Sequence, residues 1–324
     1  MAIEFFTGFE GCGSHEDARA LFDTCDYIAA YSATGGYADG KSSLHSGAGY
    51  WFQKSCTAAK TKAVGSHIRQ AGTLDNTHEN YAIFRFEGPD IRIFNWSDGI
   101  RAYRGTTLLG TGSAGLTTGL HHIEAKVFSD AGAGTVTVKI DGTIILDLSS
   151  QNTDGSDITT IRWGASSGLY RDNFYIADDL QGELISILCK PSSDDSTQFT
   201  PSTGSDNYAL IDEVVHDDDT TYVESSTVGH KDIYGFEDVS SGYTVKAISI
   251  VTVAKKDDAG GRTIQPLSVQ DSTERDVGSA ITLTTSYPTT TGAASRTTLG
   301  LAPDGTAWDN TKFNACKWGF EVAS

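Results

Sequence analysis

The chain is poor in the features that mark whole classes of protein. In 324 residues it has one methionine, six prolines and five cysteines. The cysteines, Cys12, Cys25, Cys56, Cys189 and Cys316, are widely spaced and form no Cys-x-x-Cys pair, which excludes zinc-ribbon and thioredoxin-type sites. Their odd number leaves at least one thiol unpaired within the chain. The others are expected to be reduced or buried thiols, or to form disulfides late, including between subunits. No run of about 18 apolar residues is present to span a bilayer. The opening Met-Ala-Ile-Glu-Phe-Phe-Thr-Gly-Phe-Glu lacks a basic n-region and a continuous apolar h-region. It does not read as a signal peptide, so synthesis in the cytoplasm is expected. Basic residues are scarce as well: 24 Lys and Arg against 42 Asp and Glu give a net charge of −18. That balance argues against nucleic acid and anionic membrane as partners, since phosphate neutralisation needs clustered cations. It favours solubility, and like copies repel unless the charge is dispersed.

What is present points to β-structure. Short runs rich in Val, Ile, Thr, Tyr and Phe alternate with clusters of Gly, Asp, Asn and Ser every ten to fifteen residues, the rhythm of a sandwich. The length suggests two domains of roughly 150 residues each. Strands are expected at Ile3 to Phe9, Tyr50 to Phe52, Ala63 to Ile68, Tyr81 to Phe86, Ile91 to Phe94 and Gly99 to Gly105. They continue at His121 to Phe128, Thr135 to Ile140 and Ile144 to Leu148, then at Ile161 to Gly164, Asp172 to Asp178 and Leu184 to Leu188. Asp141-Gly142 is the strongest hairpin signal. Residues 14–30 form a helix or a long loop. Pro191 to Asp206, rich in Ser, Asp, Thr and Pro, reads as a linker or a long inter-domain loop. Beyond it a second set is expected: Tyr222-Val223, Ile233 to Phe236, Val245 to Val253, Thr263 to Val269, Ile281 to Tyr287 and Trp318 to Val322. Lys255 to Gly261 reads as a polar hairpin tip. No fixed-period repeat is visible, which argues against solenoids and propellers.

Residues 99–178 carry a pattern, "DGIRAYRGTTLLGTG…LHHIEAKVF…GTVTVKIDGTIILDL…IRWG…DNFYIAD", that resembles the LamG/concanavalin A-like jelly roll. His121 stands where that family often has Trp. The second half, "TPSTGSDNYALIDE…DDDTTYVESSTVG…DIYGFEDV…AKKDDAGGRT…APDGTAWDNTKFNACKWGFEV", resembles the C-terminal sandwich of many bacteriophage and prophage virion proteins encoded near tail genes. The resemblance implies an all-β protein, a concanavalin/LamG-like jelly-roll sandwich (1–190) followed by a second antiparallel β-sandwich (191–324). It implies a virion structural protein and no enzyme: a tail, neck or collar decoration or fibre component, or alternatively a head decoration or a receptor-binding adhesin. Its partners would be other virion proteins, copies of itself and a host surface glycan, and its place the virion.

The residues offer few routes to catalysis. Retaining glycoside hydrolysis needs two carboxylates about 5 Å apart, and no Glu-x-Asp-x-x-Glu-like run occurs around Glu124. There is no Gly-x-Ser-x-Gly elbow on a strand-turn-helix unit, and little helix to host one. His121 and His122 are adjacent on a strand and so point to opposite faces. A glycan would be met by exposed aromatics flanked by polar groups; Trp96, Asn95, Asp98 and Tyr103 are the expected set, with Trp51, Tyr50 and Tyr170 also available, although such rings usually fill cores. Trp308 and Trp318 read as packing anchors. No cofactor is expected other than calcium, which wants about six to eight oxygens. Its candidate ligands are Asp217 and Asp219, and separately Asp172 and Asp178.

Overall fold

In the computed structural model the described residues are 3–8, 21–25, 30–32, 43–45, 51–70, 82–96, 98–164, 169–288 and 295–324. They divide into two compact units, with Ile187 closing the first and Leu188 opening the main body of the second.

The first unit is a two-sheet jelly roll. Alternation produces its strands: Val136, Val138 and Ile140 on Gly134–Ile140, and Ile123, Ala125 and Val127 on Gly119–Phe128, point inward, while intervening Thr and Lys point out. One sheet runs in the order Thr143–Gln151, Gly134–Ile140, Gly119–Phe128, Thr61–Gln70, Leu169–Ala177, Ser43–His45 and Ala30–Ser32, with Ile3–Thr7 also on Leu169–Ala177. The other runs Thr107–Thr111, Gly99–Arg104, Ile91–Trp96, Phe84–Glu87, Ile158–Gly164, Trp51–Ala59 and Thr24–Cys25. Every pairing is antiparallel. The Asp141-Gly142 hairpin has φ of 49° and 78°, the left-handed pair that a two-residue turn with right-handed strand twist requires.

Between the sheets lies an aromatic cluster. Phe174 meets Phe22 at 5.3 Å, Trp163 at 5.4 Å and Phe52 at 5.6 Å between ring centroids, all edge to face. Each such pair contributes about 0.5–1.5 kcal/mol beyond its buried area. The buried Arg171 guanidinium crosses this interior from the first sheet. It donates to Ser66 Oγ and to the carbonyls of Gly164 and Ile83, each at 2.9 Å. Burial pushes its pKa down to about 9.

The second unit is an antiparallel sandwich. Its main sheet has the order Pro191–Thr197, Lys231–Phe236, Lys317–Val322, Thr263–Gln270 and Thr273–Asp276, with Ile281–Thr282 also on Thr263–Gln270. A ribbon of Ile248–Thr252 and Ser295–Leu299 packs through Ile248, Ile250 and Leu299 on a core of Val239, Val277, Trp308, Phe313 and Trp318. The short helix Asn310–Ala315 is capped by Asp309, whose side chain accepts from Lys312 N at 2.8 Å. Trp308 and Trp318 are packing anchors, 6.0 Å apart.

Several expected elements differ. Pro191–Thr197 is a strand and not a linker, because it pairs along Lys231–Phe236 at the sheet edge. Leu184 to Leu188 is irregular. Thr24–Cys25 is a strand paired with Gln53 and Phe52, so the expected helix does not reach these residues; residues 14–20 and 26–29 lie outside those described. Lys255 to Gly261 joins strands of two different sheets and is no hairpin tip. Ile281 to Tyr287 is a strand only at Ile281–Thr282. Tyr50 and Tyr81 lie outside the described residues. Cys56 and Cys316 are free thiols, and burial pushes both up to about 11.

One buried histidine makes the first unit acid-sensitive. His122 is 5% exposed, and burial, followed by the charge of His67, pushes its pKa down to about 4 against the opposing pull of Glu124, Glu183 and Asp141. The unfolded chain, with an ordinary value near 6.5, therefore binds the proton first. Stability held at neutral pH is lost as the pH falls from about 6.5 toward 4. Hydrogen exchange of Gly119–Phe128 should accelerate over that window in the wild type, and His122→Gln should flatten the dependence. Equal slopes for the two proteins would reject the assignment.

Candidate functional surface

The outward positions of the seven-stranded sheet carry an unusual row. Arg162 sits opposite Arg85, Arg85 opposite Arg92, and Arg92 opposite Tyr103, so one line of side chains crosses four strands. Like charges directly across strands repel, and carboxylates offset the repulsion. Asp90 Oδ1 accepts from Arg85 Nε at 2.8 Å and from Arg92 Nε at 2.9 Å, and its Oδ2 accepts from Arg92 Nη2 at 2.9 Å. Glu87 Oε1 lies 3.2 Å from Arg85 Nε and 2.9 Å from Arg162 Nε. Burial alone would raise the Asp90 carboxyl, but the two guanidinium groups hold it below the usual range. The turn that presents Asp90 is fixed by its left-handed φ of 51° and by Gly105 N donating to its carbonyl at 2.9 Å.

Aromatic rings border the row. Arg101 stacks over Trp96 at 4.3 Å and donates to Asp98 Oδ2 at 2.7 Å. Phe94 meets Tyr103 edge to face at 5.5 Å. With four guanidinium groups against three carboxylates, the patch carries one net positive charge in an otherwise acidic chain. The side chains are partly exposed, from 12% for Arg92 to 58% for Asp98. Fixed donors, fixed acceptors and flanking ring faces suit a polyhydroxylated ligand, whose hydroxyls both donate and accept.

Three of the four expected glycan residues therefore share this region: Trp96, Asp98 and Tyr103. Asn95 does not belong. It is one step out of phase, faces the core, and clamps Leu116, accepting from its N at 2.6 Å and donating to its O at 3.5 Å. Local sequence does not show the arginine row, because Arg85, Arg92 and Arg162 are 7 and 70 residues apart and meet only through register. The available signal was an arginine at an outward phase of each run: Phe84-Arg85-Phe86, Ile91-Arg92-Ile93, Ile161-Arg162-Trp163.

The calcium candidates are not assembled. Asp172 is fully buried and accepts from Asn173 N at 2.7 Å, whereas Asp178 is exposed and 4.0 Å from Lys62 Nζ. Asp219 pairs with Lys255 at 2.6 Å, Asp218 with His216 at 2.7 Å, and Asp217 accepts from Thr221 Oγ1 at 2.9 Å. Among the described residues no three His, Cys, Asp or Glu side chains gather as a metal would need. His121 and His122 do point apart: His121 bonds Asp141 at 2.7 Å and Thr117 at 2.9 Å, while His122 is buried against His67.

No protein-family model matches the sequence, and no curated protein does. Among solved structures the chain is similar to galectin LEC-6 of Caenorhabditis elegans, at 8% identity and a TM-score of 0.26 over 39% of this chain and 89% of that one. It is similar to domain 4 of AbnA, a GH43 extracellular arabinanase from Geobacillus stearothermophilus in complex with arabinotriose, at 14% and 0.31 over 53% and 80%. A third is the catalytic domain of a glycoside hydrolase family 131 protein from Coprinopsis cinerea, at 11% and 0.25 over 57% and 87%. At identities and TM-scores this low, nothing these proteins bind or cleave transfers to this chain.

Proposed function

We propose that this chain is a structural, non-enzymatic component of a bacteriophage particle, most simply a tail, neck or collar decoration or fibre component, and that its LamG-like first sandwich displays a saccharide-recognising sheet face. The virion reading is supported by one observation: the virion-protein-like stretches of the second half fall on the residues that build its fold. "DIYGFEDV" supplies the second strand of the main sheet and the buried Asp232, and "TAWDNTKFNACKWGFEV" supplies Trp308, the capped helix and Trp318. These two stretches carry packing determinants of the second unit, whereas "DDDTTYVESSTVG" and "AKKDDAGGRT" lie mostly in turns and loops. Head decoration and a receptor-binding adhesin are the alternatives on the particle, and a free glycan-binding module or hydrolase is the alternative off it.

Mass spectrometry of gradient-banded particles should recover the chain in fixed stoichiometry with the other virion proteins. Its presence only in the soluble lysate would overturn the virion reading. The surface has its own test. On a glycan array the purified chain should bind with submillimolar affinity, and Arg92→Ala, which frees Asp90 from its bidentate partner, should weaken binding at least tenfold. Trp96→Ala should weaken it too. Arrays indifferent to both substitutions would remove the row from the account.

A further inference from the structure

A second polar constellation lies on the outer face of the eight-stranded sheet, away from the arginine row. Register places His122 opposite His67, and both Glu124 and Tyr175 opposite Gly65. A Cβ on Gly65 would overlap the Tyr175 ring, so the glycine lets the ring lie flat and brings its hydroxyl to Glu124 Oε2 at 2.6 Å. Glu124 and Tyr175 are fully buried, and His67 is 1% exposed. Outward-facing sheet positions ordinarily meet solvent. Here they are covered by residues 179–186 of the same unit, a segment without regular structure.

The cover is held by polar contacts. Gly182 N donates to Glu124 Oε2 at 3.0 Å, Gln181 N to the Tyr175 hydroxyl at 3.4 Å, and Ser186 N to Asn173 Oδ1 at 2.9 Å. His67 Nε2 meets Glu183 Oε1 at 2.8 Å, and Lys126 donates to Asp179 at 2.8 Å. A gap of about 10 Å³ remains beside Asn173 and Ser186, room for a single water and nothing larger. Yet the network is incomplete. His122 Nε2 and Glu124 Oε1 are buried without a hydrogen-bond partner among the described residues, although Lys139 Nζ lies 3.5 Å from the latter. A half-satisfied buried network costs more than an apolar one, so packing does not account for it.

We propose that Glu124, Tyr175, His67 and His122 form a saccharide-binding cleft, and that residues 179–186 occupy it as a displaceable internal stand-in. The backbone N–H groups of the segment take the places that ligand hydroxyls would fill on Glu124, Tyr175 and Asn173. Hydroxyls, being both donors and acceptors, would also reach His122 Nε2 and Glu124 Oε1, which an N–H cannot satisfy together. The segment has no ladder hydrogen bonds of its own and runs directly into Leu188, where the second unit begins, so it belongs to the low-stability end of the unit. This cleft does not depend on the arginine row binding anything.

The test uses the full chain and removes the latch. Gly182 has φ +76°, closed to proline, and its N–H holds Glu124. Gly182→Pro should raise hydrogen exchange across 179–187 at least tenfold, with the sheet strands unchanged. On an array of gluco-, galacto- and rhamno-oligosaccharides it should gain at least tenfold in binding. That gain should vanish on adding Glu124→Gln and survive adding Arg92→Ala, which separates this cleft from the arginine row. Where Gly182→Pro fails to fold, Glu183→Ala, which cuts the exposed tie to His67, takes its place. A released segment with no gain in saccharide binding, or a gain indifferent to Glu124→Gln, would overturn the proposal.

Discussion

Replacing Arg171 by Met should cost the first sandwich about 3–5 kcal/mol, because it strands the buried groups that the guanidinium binds. The guanidinium is 1% exposed and spans the two sheets, binding Ser66 on its own sheet and the Gly164 and Ile83 carbonyls at the other. Burial lowers its pKa to about 9, yet it remains charged at neutral pH. Its charge is met by oriented carbonyl dipoles, and the Phe84 ring lies 5.8 Å away. Met fills most of the volume but leaves two carbonyls without donors, at about 1–3 kcal/mol each. Lysine should recover only a small part, because a single ammonium cannot present the planar fork that reaches three acceptors in fixed directions. Since domains are stable by about 5–15 kcal/mol, the loss should be plain in denaturant. The check is urea-dependent hydrogen exchange, read separately on Thr61–Gln70 and Ile158–Gly164. A shift below about 1 kcal/mol, or full rescue by lysine, would contradict the role.

The second large effect is expected at Asp232. Its fully buried carboxylate accepts four hydrogen bonds: Oδ1 from Gln198 N at 2.6 Å and Phe199 N at 2.8 Å, Oδ2 from Asn207 Nδ2 at 2.6 Å and Tyr234 Oη at 2.8 Å. One side chain thereby joins the edge strand's exit, the Asn207–Leu210 turn and the second strand of the main sheet. All four partners are donors, so the site requires a group that only accepts. Asp232→Ala should destabilise the second unit by about 3–5 kcal/mol. Asp232→Asn should be nearly as damaging, because its NH₂ must face two donors whichever way the amide turns. An asparagine variant with near wild-type exchange in Lys231–Phe236 would show that charge and acceptor count do not matter there.

Much of this architecture is legible from period alone. Gly134–Ile140 declares its buried face, and Asp141-Gly142 its turn, because the residues that alternate are the residues that pack. The failures are instructive in the same terms. Pro191–Thr197 reads as a linker because an edge strand on a sheet margin needs no apolar alternation; proline at its first position and Ser and Asp along it are what edges tolerate. What holds it is pairing, together with Asp194, which accepts from Asn207 N at 2.9 Å and Tyr208 N at 2.8 Å. Leu184 to Leu188 looks like a strand because it is apolar, but its first residues belong to a segment tied to side chains and not to a neighbouring ladder. At the candidate surface, Trp96 beside Asp98 is legible as a ring near a loop, and Tyr103 as an available ring. Asn95 was misplaced by one step of the period, and the arginine row depends on strand register, which local sequence does not carry. Asp217 and Asp219 illustrate the converse: adjacency in sequence did not become convergence in space, since each carboxylate turns to its own partner.

The proposed place on a phage particle is tested by immunogold electron microscopy of purified particles with an antibody raised to the full chain. Gold is expected at one fixed place on tail, neck or collar. Unlabelled particles, with the chain found free in the lysate, would overturn that reading and favour a free glycan-binding module.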